Sequence, residues 1–203
     1  MMMNNLKTKD GERAREVWRK ILKEEPMALE SFNYSCGNKF KKCADLTLDN
    51  SEKRQTAIRA EPIENELWKR KTESIYVIVK NGKIMKIGGT RTGMKSRWGS
   101  YLCGHCVPQR IAKKTGEPFP GKMSVTNAHL YHTIEQGLID GEIWEIYNWE
   151  LPTVKVMVEI LGNQVEVIAQ TYHAYESLCI KKFYELTGHI PQLCDNSDPN
   201  YKN

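Results

Sequence analysis

Ser74-Ile75-Tyr76-Val77-Ile78-Val79-Lys80-Asn81-Gly82-Lys83-Ile84-Met85-Lys86-Ile87-Gly88 is the stretch on which the reading of this chain turns. Two apolar, β-branched and aromatic runs flank Asn81-Gly82. Asn-Gly is the strongest short-range hairpin signal, because both central residues of the favoured turn need positive φ. The turn also fixes register. A perfect two-residue turn pairs Lys80 with Lys83, Ile78 with Met85 and Tyr76 with Ile87. That register places Lys86 on the face opposite Tyr76. A one-residue bulge or a longer loop would return Lys86 to the face of Tyr76.

Working outward, residues 12–24 show helical spacing of Ala14, Val17, Trp18, Ile21 and Leu22, with Asp10 as N-cap and Glu24-Glu25-Pro26 as terminator. Residues 27–60 mix lysines, Cys36-Gly37 and Asp49-Asn50-Ser51 and read as loops with a short helix. Residues 61–71, opened by Pro62, read as a helix carrying Ile63, Leu67 and Trp68. After Thr92-Gly93 a short helix carries Arg97, Trp98 and Tyr101. The Pro- and Gly-rich stretch 103–123 reads as a long loop. A helix follows, capped by Ser124 or Thr126 and ended by Asp140-Gly141. A second hairpin is expected from Val154–Val158 through Gly162-Asn163 to Val165–Ile168, and a last helix over 172–187 with Gly188 as its stop.

With 203 residues and 40% apolar side chains, the chain can build one sizeable core. No apolar run reaches the roughly 18–20 residues that span a bilayer, and the polar segment Met1–Lys9 has no signal-peptide core. A soluble, cytoplasmic protein with reduced cysteines is expected. Cys103-Gly104-His105-Cys106 has the gap of a zinc half-site, and Cys36 and Cys43 are the residues that would have to complete it. Their own spacing is longer than usual, so free thiols are preferred over structural Zn²⁺. The net charge is +5, but it is unevenly placed. Between Lys80 and Lys122 ten basic residues face one acid, Glu117, whereas 135–166 is acidic. Such segregation is the footprint of a phosphate-binding surface.

The hairpin resembles the paired tripeptides of the GIY-YIG nuclease family. Ser74-Ile75-Tyr76 stands for the first and Lys86-Ile87-Gly88 for the second. Arg97 sits where that family's helix arginine belongs, Tyr101 follows one turn later, and Glu176 opens the last helix. Gly188-His189-Ile190-Pro191-Gln192-Leu193 is similar to the Gly-x-x-Pro-Pro-Leu-Asn ending of many members. The resemblance covers 74–101 and 164–194. Ser74 departs mildly from the first Gly. Lys86 replaces the second Tyr and points to the type II restriction endonuclease branch.

The resemblance implies an α+β fold: a small, mainly antiparallel central sheet made of this hairpin and a later strand, flanked by helices. An N-terminal extension over 1–73 would supply a helical arm around DNA. The nuclease domain would span 74–194 with a DNA-recognition insertion at 103–150, and 195–203 would be a polar tail. It implies metal-dependent hydrolysis of phosphodiesters, with Mg²⁺ (or Mn²⁺ in its place) on Glu176. Arg97 would stabilise the phosphate in the transition state. Tyr76 would be the general base, its pKa lowered by the Lys86 ammonium, with Tyr101 hydrogen-bonded to the attacking water. Arg110, Lys113, Lys114, Lys122, Asn127 and His129 are the candidate DNA contacts. The expected partner is double-stranded DNA with a palindromic site, cut by a homodimer. A homing or repair nuclease of low sequence specificity, or a catalytically degenerate DNA-binding module, remain the alternatives.

Overall fold

The computed structural model describes residues 26–51, 56–102 and 125–194. The expected helix at 12–24, the loop at 103–123 and the tail from 195 lie outside these. The chain order is α1 (Leu29–Ser35), β1 (Lys41–Leu48), β2 (Ile58–Pro62), α2 (Asn65–Lys69), β3 (Ser74–Lys80), β4 (Lys83–Thr90), α3 (Met94–Leu102), α4 (Val125–Ile139), β5 (Trp144–Glu150), β6 (Val154–Ile160), β7 (Asn163–Ala169) and α5 (Tyr172–Thr187). Five strands form one antiparallel sheet in the order β2-β1-β5-β3-β4, and β6-β7 form a separate two-stranded sheet. The architecture is α+β.

β3 lies between β5 and β4, and its first six residues are all buried. A strand covered on both faces reads as a continuous apolar run. On one face Tyr76, Ile78, Met85 and Trp144 pack with Trp68 of α2, Met94, Trp98 and Tyr101 of α3, and Leu130 and Ile134 of α4. On the other, Ile75, Val77, Val79, Ile84 and Ile87 pack with Leu29 and Phe32 of α1 and Cys179 and Phe183 of α5. Phe32 meets the Phe183 ring edge-on at 5.8 Å between centroids. Asn81 takes φ 48° and Gly82 φ 76°, as the turn requires. The Asn81 amide side chain accepts from Ile143 N–H at 2.8 Å, tying the turn to the start of β5.

The register contains the bulge. Tyr76 pairs with Gly88 and Ile78 with Lys86, then the ladder skips Met85 and resumes at Val79 with Ile84. Tyr76, Ile78, Lys86 and Gly88 therefore share one face. Met85, left out of the ladder, accepts through its carbonyl from Leu193 N–H at 2.7 Å.

Several expectations are corrected. The stretch 27–60, read as loops with a short helix, supplies α1 but also β1 and part of β2, and β1 pairs on both sides. Its lysines mask it: only Ala44 and Leu46 of β1 are buried. The segment before residue 74 is thus built into the sheet. So is the end of the expected insertion, because β5 lies between β1 and β3. The later strand of the sheet is β5; Val165–Ile168 belongs to the separate hairpin, whose turn is Leu161-Gly162 and not Gly162-Asn163. Pro62 ends β2, and the helix after it is only Asn65–Lys69, with Ile63 and Leu67 exposed. Cys36 and Cys43 pack on opposite faces of the sheet, so they do not converge on one metal.

Phe183 is fully buried between α1 and α5. Phe183→Ala is expected to cost about 3–5 kcal/mol of unfolding free energy, read from urea denaturation; a loss below about 1 kcal/mol would show that α5 is not seated as described.

Candidate active site

Three strongly polar groups meet on the Tyr76 face. Tyr76, from the centre of the sheet, is fully buried. Arg97 and Tyr101 lie one turn apart on α3 and so project from the same side of that helix. Arg97 Nε donates to Tyr76 Oη at 2.9 Å and its Nη2 to Tyr101 Oη at 2.9 Å, while the two phenol oxygens share a hydrogen bond. The guanidinium carbon sits 4.4 Å from the centroid of the Tyr101 ring. A guanidinium has five donors, and these contacts use two of them.

The bulge gives Lys86 the face of Tyr76, and only 6% of Lys86 is exposed. Its ammonium donates to Leu193 O at 2.8 Å, a carbonyl of the segment after α5. The electrostatics differ from the expectation. Burial pushes the Tyr76 phenol well above its ordinary value, and Tyr101 adds to this; Arg97 and Lys86 pull the other way without prevailing. Tyr101 is pushed up to about 12, again by burial first, against Arg97. Lys86 therefore eases ionisation of Tyr76 but does not bring it into the neutral range.

Glu176 reaches the region from the opposite side of the sheet. β4 is an edge strand, and its Gly88-Gly89 pair is what lets the two sides approach. A Cβ on Gly88 would stand 2.3 Å from Tyr76 Oη; one on Gly89 would stand 2.7 Å from the Tyr172 ring and 3.0 Å from Glu176 Oε2. Tyr76 thus lies over one glycine and Glu176 over its neighbour. The Glu176 side chain is 28% exposed, with His173 Nδ1 at 4.0 Å. Among the described residues no three of His, Cys, Asp and Glu gather as a metal site. That donor set does not fit a metal needing three or four protein ligands, but it fits Mg²⁺, which keeps most of its waters and takes one or two carboxylates.

Of the other candidates, Asn127 donates its amide to Ser100 O at 3.1 Å, joining α4 to the helix of Arg97. Arg110, Lys113, Lys114, Lys122 and the side chain of His129 lie outside the described residues. The sequence reading missed the residues of β5 beside the site, because β5 was not recognised. Asn148 pairs with Tyr76 and Glu150 with Ser74. Both line a cleft of about 470 Å³ with Lys41, Trp68 and Met94. Asn148 Oδ1 and Glu150 Oε1 are buried there without hydrogen-bond partners. The aromatic and β-branched content of Trp144, Ile146, Tyr147 and Trp149 was the available signal for this strand.

Two outcomes follow from this geometry. Gly88→Ala is expected to destabilise the fold by about 1–3 kcal/mol through overpacking against Tyr76, measured by urea denaturation; no change would mean that the ring does not lie over the glycine. The raised phenols also set a pH dependence. Below about pH 10, the ordinary tyrosine value, they are neutral in both folded and unfolded chains, so their contribution is fully present. As pH rises further, the unfolded chain ionises first and stability falls, through the folded value of about 12 for Tyr101. Tyr101→Phe should make that alkaline loss shallower in unfolding curves; an unchanged slope would refute the assignment.

No family model and no curated protein matches this chain. Solved structures do. Bacteriophage T4 EndoII, in a mutant form, is similar with a TM-score of 0.50 and 19% identity, over 76% of this chain and 94% of that one. Restriction endonuclease HPY188I in complex with product DNA aligns with a TM-score of 0.47 and 22% identity, over 87% of this chain and 89% of that one. The likeness to EndoII is one of fold.

Proposed function

We propose that this chain is a DNA endonuclease of the GIY-YIG type, with the restriction-enzyme branch as the best reading. The observation that carries it is the Tyr76–Arg97–Tyr101 hydrogen-bonded cluster set beside Glu176 across two consecutive glycines. A half-buried arginine held by two phenols, next to a lone partly exposed carboxylate, suits a phosphodiester better than an uncharged substrate. The basic segment between Lys80 and Lys122 supports a polyanionic partner, and the fold likeness to T4 EndoII agrees with it.

In this reading a water attacks phosphorus, a new P–O bond forms and the bond to the leaving ester oxygen breaks. Tyr76 Oη takes the proton of that water. Burial keeps the phenol neutral, so it gives up its own proton as it accepts one. That proton passes to the leaving ester oxygen, which departs as a hydroxyl group, while the Tyr101 hydroxyl holds Tyr76 Oη through their shared hydrogen bond. Arg97 turns its remaining donors to the phosphate and stabilises charge that grows in the transition state, while Lys86 offsets charge on Tyr76. Glu176 would hold Mg²⁺ or Mn²⁺, which when bound neutralises phosphate and leaving-group charge. Cutting both strands of a symmetric site would call for two copies related by a two-fold axis.

Incubation of supercoiled plasmid with protein and Mg²⁺ tests this. Nicking or cutting is expected, falling at least about 100-fold in Arg97→Ala and comparably in Glu176→Gln and Tyr76→Phe, with circular dichroism unchanged. Discrete bands would support the restriction reading, and a smear a nuclease of low specificity. Absence of cleavage by the wild type across divalent metals and DNA substrates would overturn the enzyme reading.

A further inference from the structure

The cleft beside the candidate site holds groups that nothing in the described chain satisfies. Of the five buried polar side-chain atoms without hydrogen-bond partners among the described residues, three are Ser74 Oγ, Asn148 Oδ1 and Glu150 Oε1. Ser74 pairs with Glu150, and Tyr76 with Asn148, across β3 and β5. Strand alternation puts all four on one face, so the three orphaned oxygens occupy two successive rungs of that face. Buried acceptors are nearly always bonded, because an unmade bond forfeits the group's hydration. Glu150 uses only one of its oxygens: Oε2 accepts from Arg70 Nη1 at 3.0 Å.

The rest of the lining defines what supplies the missing donors. At about 470 Å³ the cleft has the volume of a small-molecule site. Trp68 and Met94, both buried, give it an apolar wall. Lys42 also lines it but is held by Asp45 at 2.7 Å and Glu145 at 2.8 Å. Lys39 and Lys41 are exposed and have no ion pair among the described residues. They outnumber Glu64, the one lining acid besides Glu150. Lys41 also belongs to the row of the candidate site: it pairs with Asn148, which pairs with Tyr76.

These groups select among ligands. The lysine ammonium groups oppose a metal ion, and the orphaned acceptors oppose a bare anion. A molecule with donors at its inner end, a flat apolar body and a negative outer end meets every condition, and a nucleotide is built this way. The pairing edges of the bases differ. Thymine has a single N–H between two carbonyls. Adenine and cytosine have an amine beside an acceptor nitrogen. Guanine has a ring N–H and an amine side by side. We propose that this cleft is a subsite for a nucleotide with an unpaired guanine base, whose N–H edge donates to Asn148 Oδ1 and Glu150 Oε1 while Lys39 and Lys41 hold its phosphate. A base read on that edge has left the duplex. Asn148 stands about 5 Å from Tyr76 across the ladder, so a nucleotide in the cleft lies next to the phosphate that the candidate site would hold. That place in a DNA strand rests on the nuclease reading. The subsite itself stands on the cleft, and a free guanine nucleotide has the same chemistry.

Equilibrium dialysis of the full chain without divalent metal, at ligand concentrations up to about 1 mM, is the test. The mononucleotide dGMP is expected to bind about tenfold or more tighter than dTMP, and than dIMP, which lacks only the exocyclic amine. Lys41→Ala, at an exposed position, should bring dGMP down to the affinity of deoxyguanosine. Asn148→Ala removes an acceptor that no described group uses. It should unfold at the same or a higher urea concentration and yet lose the preference for guanine; a merely structural Asn148 would show the reverse. A thymidine oligonucleotide carrying one guanine or one hypoxanthine decides the source. Guanine preference in the oligonucleotide assigns the cleft to a DNA strand, and preference by dGMP alone assigns it to a free nucleotide. No guanine preference in either, or a preference indifferent to Asn148→Ala and Lys41→Ala, overturns the proposal. Plasmid cleavage, scored separately, reports on the nuclease reading alone.

Discussion

The extra residue in β4 is the constraint on which the site depends. Without it, Lys86 would point into the α1–α5 side of the sheet and an isoleucine would stand across from Tyr76. With Met85 bulged out of the ladder, Lys86 and Gly88 both turn to the Tyr76 face. A bulge leaves backbone groups without ladder partners. Here the strap that follows α5 takes them up: Leu193 N–H binds the Met85 carbonyl, the Leu193 carbonyl binds the Lys86 ammonium, and the Cys194 thiol bonds to both N–H and C=O of Ile87. A segment more than a hundred residues downstream thus fixes the irregularity that assembles the cluster.

Gly88-Gly89 is the second constraint, and it works by subtraction. Side chains at these positions would occupy the volume of Tyr76 on one side and of Tyr172 and Glu176 on the other. The edge strand is therefore thinned where groups from the two faces of the sheet approach each other. Burial then decides the chemistry of the phenols. It outweighs two nearby cations for Tyr76, so the cluster is one of shared protons and not of a stored phenolate.

Much of this was legible in residue order. Asn81-Gly82 placed the hairpin, Arg97 and Tyr101 declared themselves by their one-turn spacing, and Gly188, at φ 77°, ends α5 where the last helix was read to stop. The bulge was legible only conditionally, as what a shared face for Tyr76 and Lys86 would demand. What stayed hidden has physical causes. β1 pairs on both sides, yet it carries Lys41 and Lys42 on exposed positions and Asp45 on a partly exposed one, with Lys42 paired to Asp45 at 2.7 Å and to Glu145 at 2.8 Å, so its composition mimics a loop. β5 follows an acidic turn and mixes Glu and Asn among its aromatics, and its partners β1 and β3 are distant in sequence. Long-range pairing of this kind leaves no local trace. The nearness of Glu176 to Gly89 is likewise a product of packing α5 on β4 and not of spacing.

The strap at Leu193-Cys194 has one more consequence, for solubility. β4 ends the sheet, and the outward groups of an edge strand form a template on which another chain can add. Leu193 and Cys194 occupy those groups at Met85 and Ile87. The same few residues that settle the Lys86 ammonium therefore also close the sheet against strand addition. A chain without Leu193 and Cys194 would lose the brace on the Lys86 ammonium and gain an adhesive border in one step.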